Sequence, residues 1–182
     1  MTTRHNIFIL GLFALLFIAC KTSQTSMLIA DSYDEKTNKT TLMLFPYGNI
    51  IFPDKWTKTS YNSSSRQHFF KNSDTTTVAV TKNPKEKYPF YKPTQTDKDF
   101  VTEFVKWDSE YWQKQGLTVK TINDNSDSGY IVWQAVREDS ISVNTFFLFG
   151  SKSGFAYNFS GTSTTWTDKK VEEFLINLFN TN

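Results

Sequence analysis

Apolar residues in this chain fall into runs of different period. Residues 7–19, IFILGLFALLFIA, are unbroken apolar or small positions placed directly ahead of Cys20. Residues 21–39 are polar, contain KTSQTS and YDEKTNK, and read as a tether followed by a turn-rich entry. From Thr40 onward the runs have strand length: TTLMLF and NIIFP, separated by Pro46, Tyr47 and Gly48, then residues 66–71 and 75–81. Residues 82–97 carry three prolines and read as a long loop. Phe100, Phe104, Trp107 and Tyr111 then recur at helical spacing, joined by Val101, Val105 and Trp112. Thr96 with Asp99 forms a capping-box start for this helix, and Gly116 supplies its left-handed stop. Four strand-like runs follow, LTVKTI, YIVWQAV, ISVNTFFLF and FAYNFSG, parted by the turn-rich NDNSDSG, REDS and GSKSG. Val171, Phe174, Leu175, Leu178 and Phe179 complete the chain at helical spacing behind Thr165 or Thr167. In YIVWQAV both alternating sets are partly apolar, so that strand is expected to be covered on both faces, with a helix on each side. The expected class is α+β, an antiparallel sheet sandwiched between helices.

The opening run is shorter than the roughly 20 apolar residues of a membrane span. It matches the apolar region of a secretory signal, with Arg4 as the positive start. Phe17-Ile18-Ala19-Cys20 resembles a bacterial lipobox, with Phe17 where Leu is usual, and is similar to the relaxed lipoboxes of Bacteroidetes lipoproteins. That resemblance implies cleavage before Cys20, acylation of Cys20 and attachment to a membrane. Surface-exported members often carry acidic residues after the Cys; Lys21-Thr22-Ser23-Gln24 stands here, so a periplasm-facing anchor in the cell envelope is expected. The expected organisation is a signal peptide at 1–19, lipidated Cys20 with a polar tether to 39, and a single domain at 40–182.

Removing the first 19 of 182 residues leaves 163, enough for one domain with its own core. Arg4 leaves with the signal, so Lys+Arg falls from 20 to 19 against 18 Asp+Glu. A nucleic-acid binder would show a basic excess. Cys20 is the sole cysteine, so once acylated it leaves no thiol for a disulfide, and packing must supply the stability. Aromatics make up 16% of the chain and read mainly as bulky core, with an exposed carbohydrate platform as the lesser reading. The stretch IIFPDKW, residues 50–56, resembles the entry strand of Mog1/PsbP-like domains. GFAYNFSGTSTTWTDKKVEEFLINLF resembles their closing strand, loop and helix. The resemblance spans about residues 47 to 180 and implies an antiparallel sheet between helix layers. It also implies a binding or assembly module rather than a particular activity.

Chemistry is sparse. His68, in RQHFF, is the only histidine after the signal and reads as structural. No Cys/His set for zinc is present, and no cofactor is expected. NDNSDSG suggests a calcium loop, yet a frame from Asn123 has Ser128 where Gly belongs and Gln134 where Glu belongs, and one from Asp124 reaches Ala135. A polar hairpin turn fits better. The loop NPKEKYPFYKPTQTDKD is the segment to single out: Lys85, Lys87 and Lys92 alternate with Tyr88, Phe90 and Tyr91. It reads either as a connector whose rings pin it to the core or as a loop presented to a partner. The expected role is a membrane-anchored envelope lipoprotein that is not an enzyme and binds an envelope protein. Alternatives are an inhibitor or immunity lipoprotein that neutralises a toxin or lytic enzyme, and an envelope hydrolase.

Overall fold

The computed structural model describes residues 27–137 and 143–182; the expected signal segment and Cys20 lie outside them. Among the described residues, ten strands form two antiparallel sheets. β1 (Leu28–Asp34), β2 (Lys39–Phe45) and β3 (Asn49–Pro53) make a small meander. The other seven are β4 (Thr57–Asn62), β5 (Gln67–Lys71), β6 (Thr77–Pro84), β7 (Thr118–Asn125), β8 (Tyr130–Arg137), β9 (Val143–Lys152) and β10 (Phe155–Thr162). They line up in the order β4-β5-β6-β10-β9-β8-β7. Two α-helices pack on these sheets among the described residues, α1 (Asp97–Lys114) and α2 (Asp168–Thr181). The α+β class and the antiparallel sheet between helices follow the sequence pattern. The layer on one side differs from that expectation, because α2 shares it with the separate three-stranded sheet.

The tether expected at 20–39 also changes. Residues 28–34 are not tether but strand β1, paired along its length with β2 from Leu28↔Phe45 to Asp34↔Lys39. The Asp34 carboxylate closes the connecting turn by accepting from Lys36 N at 2.9 Å and Thr37 Oγ1 at 2.9 Å. The strand hid in the sequence because it is an edge with a largely exposed side-chain set: only Ile29 and Tyr33 are partly buried. β4 escaped for the same reason, its TKTSYN being almost wholly exposed.

The seven-stranded sheet separates two apolar cores. On one side Leu42, Leu44, Ile50 and Phe52 of the small sheet meet Phe70, Val80, Leu148 and Phe159 of the large one, with Val171, Leu175 and Phe179 of α2. On the other side α1 lies over β7, β8 and β9 and closes Phe100 and Phe104 on Trp133, Phe147 and Phe149. Phe104 stacks on Phe149 at 4.1 Å and Trp133 on Phe147 at 4.2 Å. Each such ring taken from water stabilises by about 1.5–3 kcal/mol. α2 can sit this close because Gly150 has no side chain; a Cβ there would collide with the Phe179 ring.

Candidate functional site

The α1 side of the large sheet is covered only in part. With α1 over β7, β8 and β9, polar side chains of β5, β6 and β10 form a floor beside it. β6 alternates Val78 and Val80 toward one core with Ala79, Thr81 and Asn83 toward this floor. Asn158 of β10 stands opposite Thr81 in the ladder. Gln67 Nε2 donates to Asn158 Oδ1 at 3.3 Å, and Asn83 Nδ2 donates to Thr81 Oγ1 at 2.9 Å. The floor is therefore a row of uncharged amides and a hydroxyl.

Three walls rise around it. The β4–β5 turn contributes Ser64, Ser65 and Arg66, held by Asn62 Oδ1, which accepts from Ser64 N at 2.9 Å and Ser65 N at 3.1 Å. The 85–96 loop contributes Lys87, Tyr88 and Pro89, and α1 contributes Phe104, Trp107 and Asp108. This hollow measures about 360 Å³. A second hollow of about 450 Å³ shares Ser64, Ser65, Trp107 and Asp108 and continues along α1 past Glu110, Tyr111 and Lys114. Together they form one groove between α1 and the β4–β5 turn.

Trp107 and Tyr111 line the groove one helical turn apart and are 48% and 56% exposed. Both share the helical spacing of Phe100 and Phe104, which are buried. The buried stripe runs through Phe100, Val101 and Phe104, with Asp108 and Trp112 partly buried further along. A carboxyl thus occupies a position where the spacing calls for an apolar side chain. Burial raises the Asp108 pKa to about 6, opposed by the Trp112 indole N–H, which donates to Asp108 Oδ2 at 3.1 Å. Burial likewise pushes the Tyr88 hydroxyl up to about 12 against the opposing effect of its hydrogen bond with Asn83, so Tyr88 keeps its proton at ordinary pH.

The loop residues singled out in the sequence divide. Lys85 Nζ pairs with Asp97 Oδ1 at 2.9 Å and lies 5.4 Å from the Phe100 ring centre, tying the loop to the start of α1. Tyr88 packs on Phe104 at 4.6 Å and Phe90 on Phe100 at 5.2 Å; Tyr91 is partly buried against the same cluster. Lys87 and Lys92 are exposed, and only Lys87 lines the groove. The rings that drew attention thus anchor the loop, while Tyr88 also forms part of the groove wall. Cys20 lies outside the described residues.

His68 is buried on the other side of the sheet, 4.6 Å from the Tyr61 ring, and its Nδ1 has no hydrogen-bond partner among the described residues. Burial first, and then the nearby Lys58 charge, depress its pKa to about 4, so it is neutral at ordinary pH. NDNSDSG forms the end of β7 and a short 3-10 turn, with Asp124 Oδ1 accepting from Ser126 N at 3.1 Å and Asp127 paired with Lys98 at 2.8 Å. No group of three or more His, Cys, Asp or Glu among the described residues is placed to hold a metal.

A larger cleft of about 840 Å³ lies between the β3–β4 link and the start of α2, lined by Asp54, Lys71, Trp166 and Lys170 among others. Its aromatic surface is already engaged. The Trp166 indole donates to Asp74 Oδ2 at 2.9 Å, the Lys170 ammonium sits 4.2 Å over its ring, and Trp56 packs edge-on at 6.1 Å. The α1 groove, where Trp107 and Tyr111 each keep about half of their surface exposed although both touch neighbouring rings, offers more to a ligand.

No known protein family matches the chain, and no curated protein matches it. Among solved structures it is similar to the solution structure of cyanobacterial PsbP (CyanoP) from Synechocystis sp. PCC 6803. The two are 13% identical, with a TM-score of 0.41, over 91% of this chain and 96% of that one. A likeness at that level carries no inference about function.

Proposed function

We propose that this chain is a lipid-anchored, periplasm-facing protein of the bacterial envelope that works by binding, and that the α1 groove receives a segment of a partner protein. The observation that carries the reading is the exposure of Trp107 and Tyr111 across the groove from Arg66, which is also exposed. Trp, Tyr and Arg are the residues enriched at the energetic centres of protein interfaces. The partly buried Asn158 amide of the floor can exchange hydrogen bonds with a peptide backbone laid along it. An aromatic pair on a rigid helix loses little conformational freedom on binding.

Capture from cells tests the reading. The protein carrying Trp107→Ala and Tyr111→Ala is expected to lose a partner recovered in near-stoichiometric amount with the unaltered chain, with its melting temperature little changed. Recovery of the same partner in undiminished amount would move the binding site elsewhere.

A further inference from the structure

The small sheet buries Leu42, Leu44, Ile50 and Phe52 on its inner face. Its outer face is not the polar surface that a half-buried sheet normally presents. Leu28, Phe45, Met43 and Ile51 point outward and are 62%, 61%, 41% and 36% exposed. The register puts them together: Leu28 stands opposite Phe45, Ala30 opposite Met43, and Thr41 opposite Ile51. Leu28, Phe45 and Met43 lie at one end, and Ile51 borders them beside Thr41. Toward the other end of the same hairpin the outward positions become Ser32 with Thr41 and Asp34 with Lys39. The apolar end is where the chain enters β1, with Leu28 itself in the patch.

The sequence then fixes what lies near that end. Seven residues, 21–27, separate Cys20 from Leu28. At no more than about 3.5 Å per residue, they span at most about 30 Å. A chain acylated at Cys20 therefore holds this apolar end of the sheet close to the bilayer.

We propose that the outward face of the β1–β2–β3 sheet seats on the membrane surface, with Leu28, Met43 and Phe45 entering the boundary between headgroups and acyl chains. The proposal rests on the lipid-anchor reading of Cys20. Contiguous exposed apolar residues mark interaction surfaces, and a tethered apolar patch meets the bilayer at high effective concentration.

Met43 provides a native probe, because an exposed thioether oxidises readily and a lipid-covered one is shielded. The chain from Cys20 onward is coupled through its thiol to a maleimide lipid in phosphatidylethanolamine/phosphatidylglycerol vesicles, then footprinted with hydroxyl radicals and read by mass spectrometry. Met43 oxidation is expected to fall at least about five-fold relative to the uncoupled chain, with Trp107 oxidation unchanged. A variant with Leu28→Ser and Phe45→Ser, coupled in the same way, should recover the solution rate at Met43. Equal Met43 oxidation with and without coupling overturns the proposal. So does full protection in the double variant, which would mean shielding by proximity alone. Because the coupling is chemical, these results do not depend on acylation in cells. The mass of the Cys20 peptide from envelope preparations tests that reading separately, and an unmodified Cys20 overturns it.

Discussion

At the scale of single residues, two buried ionisable groups act in opposite directions. Asp108 has a folded pKa of about 6, above its ordinary value of 3.8. Between those values the folded chain holds a proton that the unfolded chain has released. Its contribution therefore makes the protein more stable at low pH, declining as pH rises from about 4 to 6 and flat above. Asp108→Asn keeps a carbonyl oxygen for the Trp112 indole and removes the charge. It should stabilise the fold at pH 7 by an amount on the order of 1–3 kcal/mol, read as a rise in denaturation midpoint that vanishes below pH 4. His68 has a folded pKa of about 4, below its ordinary 6.5. Its contribution is complete above pH 6.5 and is lost as pH falls toward 4. His68→Phe, which keeps a ring against Tyr61, should leave the Asp108 contribution unopposed, so that stability falls as pH rises from about 4 to 6. The windows overlap, so the unaltered protein is expected to show a shallower profile between pH 4 and 6 than either variant. Equal slopes in all three proteins would contradict both assignments.

At the scale of elements, α1 shows what patterning can and cannot deliver. Its start was legible because the capping box is a local signal: Thr96 Oγ1 accepts from Asp99 N at 3.1 Å, and the Asp99 carboxylate accepts from Thr96 N at 3.4 Å. Thr96→Ala should cost about 1 kcal/mol, a fall of roughly 2–4 °C in melting temperature. Its outer face was not legible. Phe100, Phe104, Trp107 and Tyr111 share a spacing, yet the first two are buried and the last two line the groove. Spacing identifies neighbours on a helix but not where the underlying sheet stops giving cover. Asp108, charged on an otherwise apolar stripe, was the one local sign of the groove in the sequence. The floor could not be read there, because Gln67, Asn83 and Asn158 meet only through strand order. The loop before α1 was ambiguous until its rings were placed. Tyr88→Ala should now cost on the order of 2–4 kcal/mol in chemical denaturation, since it removes contacts with Phe100 and Phe104. A change under about 0.5 kcal/mol would mean that the loop is not held by its rings.

At the scale of the molecule, the large sheet divides two roles between its sides. The small sheet and α2 lie on one side, α1 and the groove on the other. A protein seated on the membrane through Leu28, Met43 and Phe45 would turn the α1 groove toward the periplasm, open to a partner. Cys20→Ser should release such a protein from washed membranes, and sedimentation of the variant with the membrane fraction would contradict the anchor. On this reading the α1 groove is a protein-binding site. A photo-crosslinking amino acid is placed at position 107 or 111 in intact cells, and as a control at Thr59, which lines the cleft of about 840 Å³ beside α2. One discrete adduct is expected from positions 107 and 111, absent from position 59 and weakened by Arg66→Ala. No adduct from the groove positions, or the same adducts from all three, would contradict it.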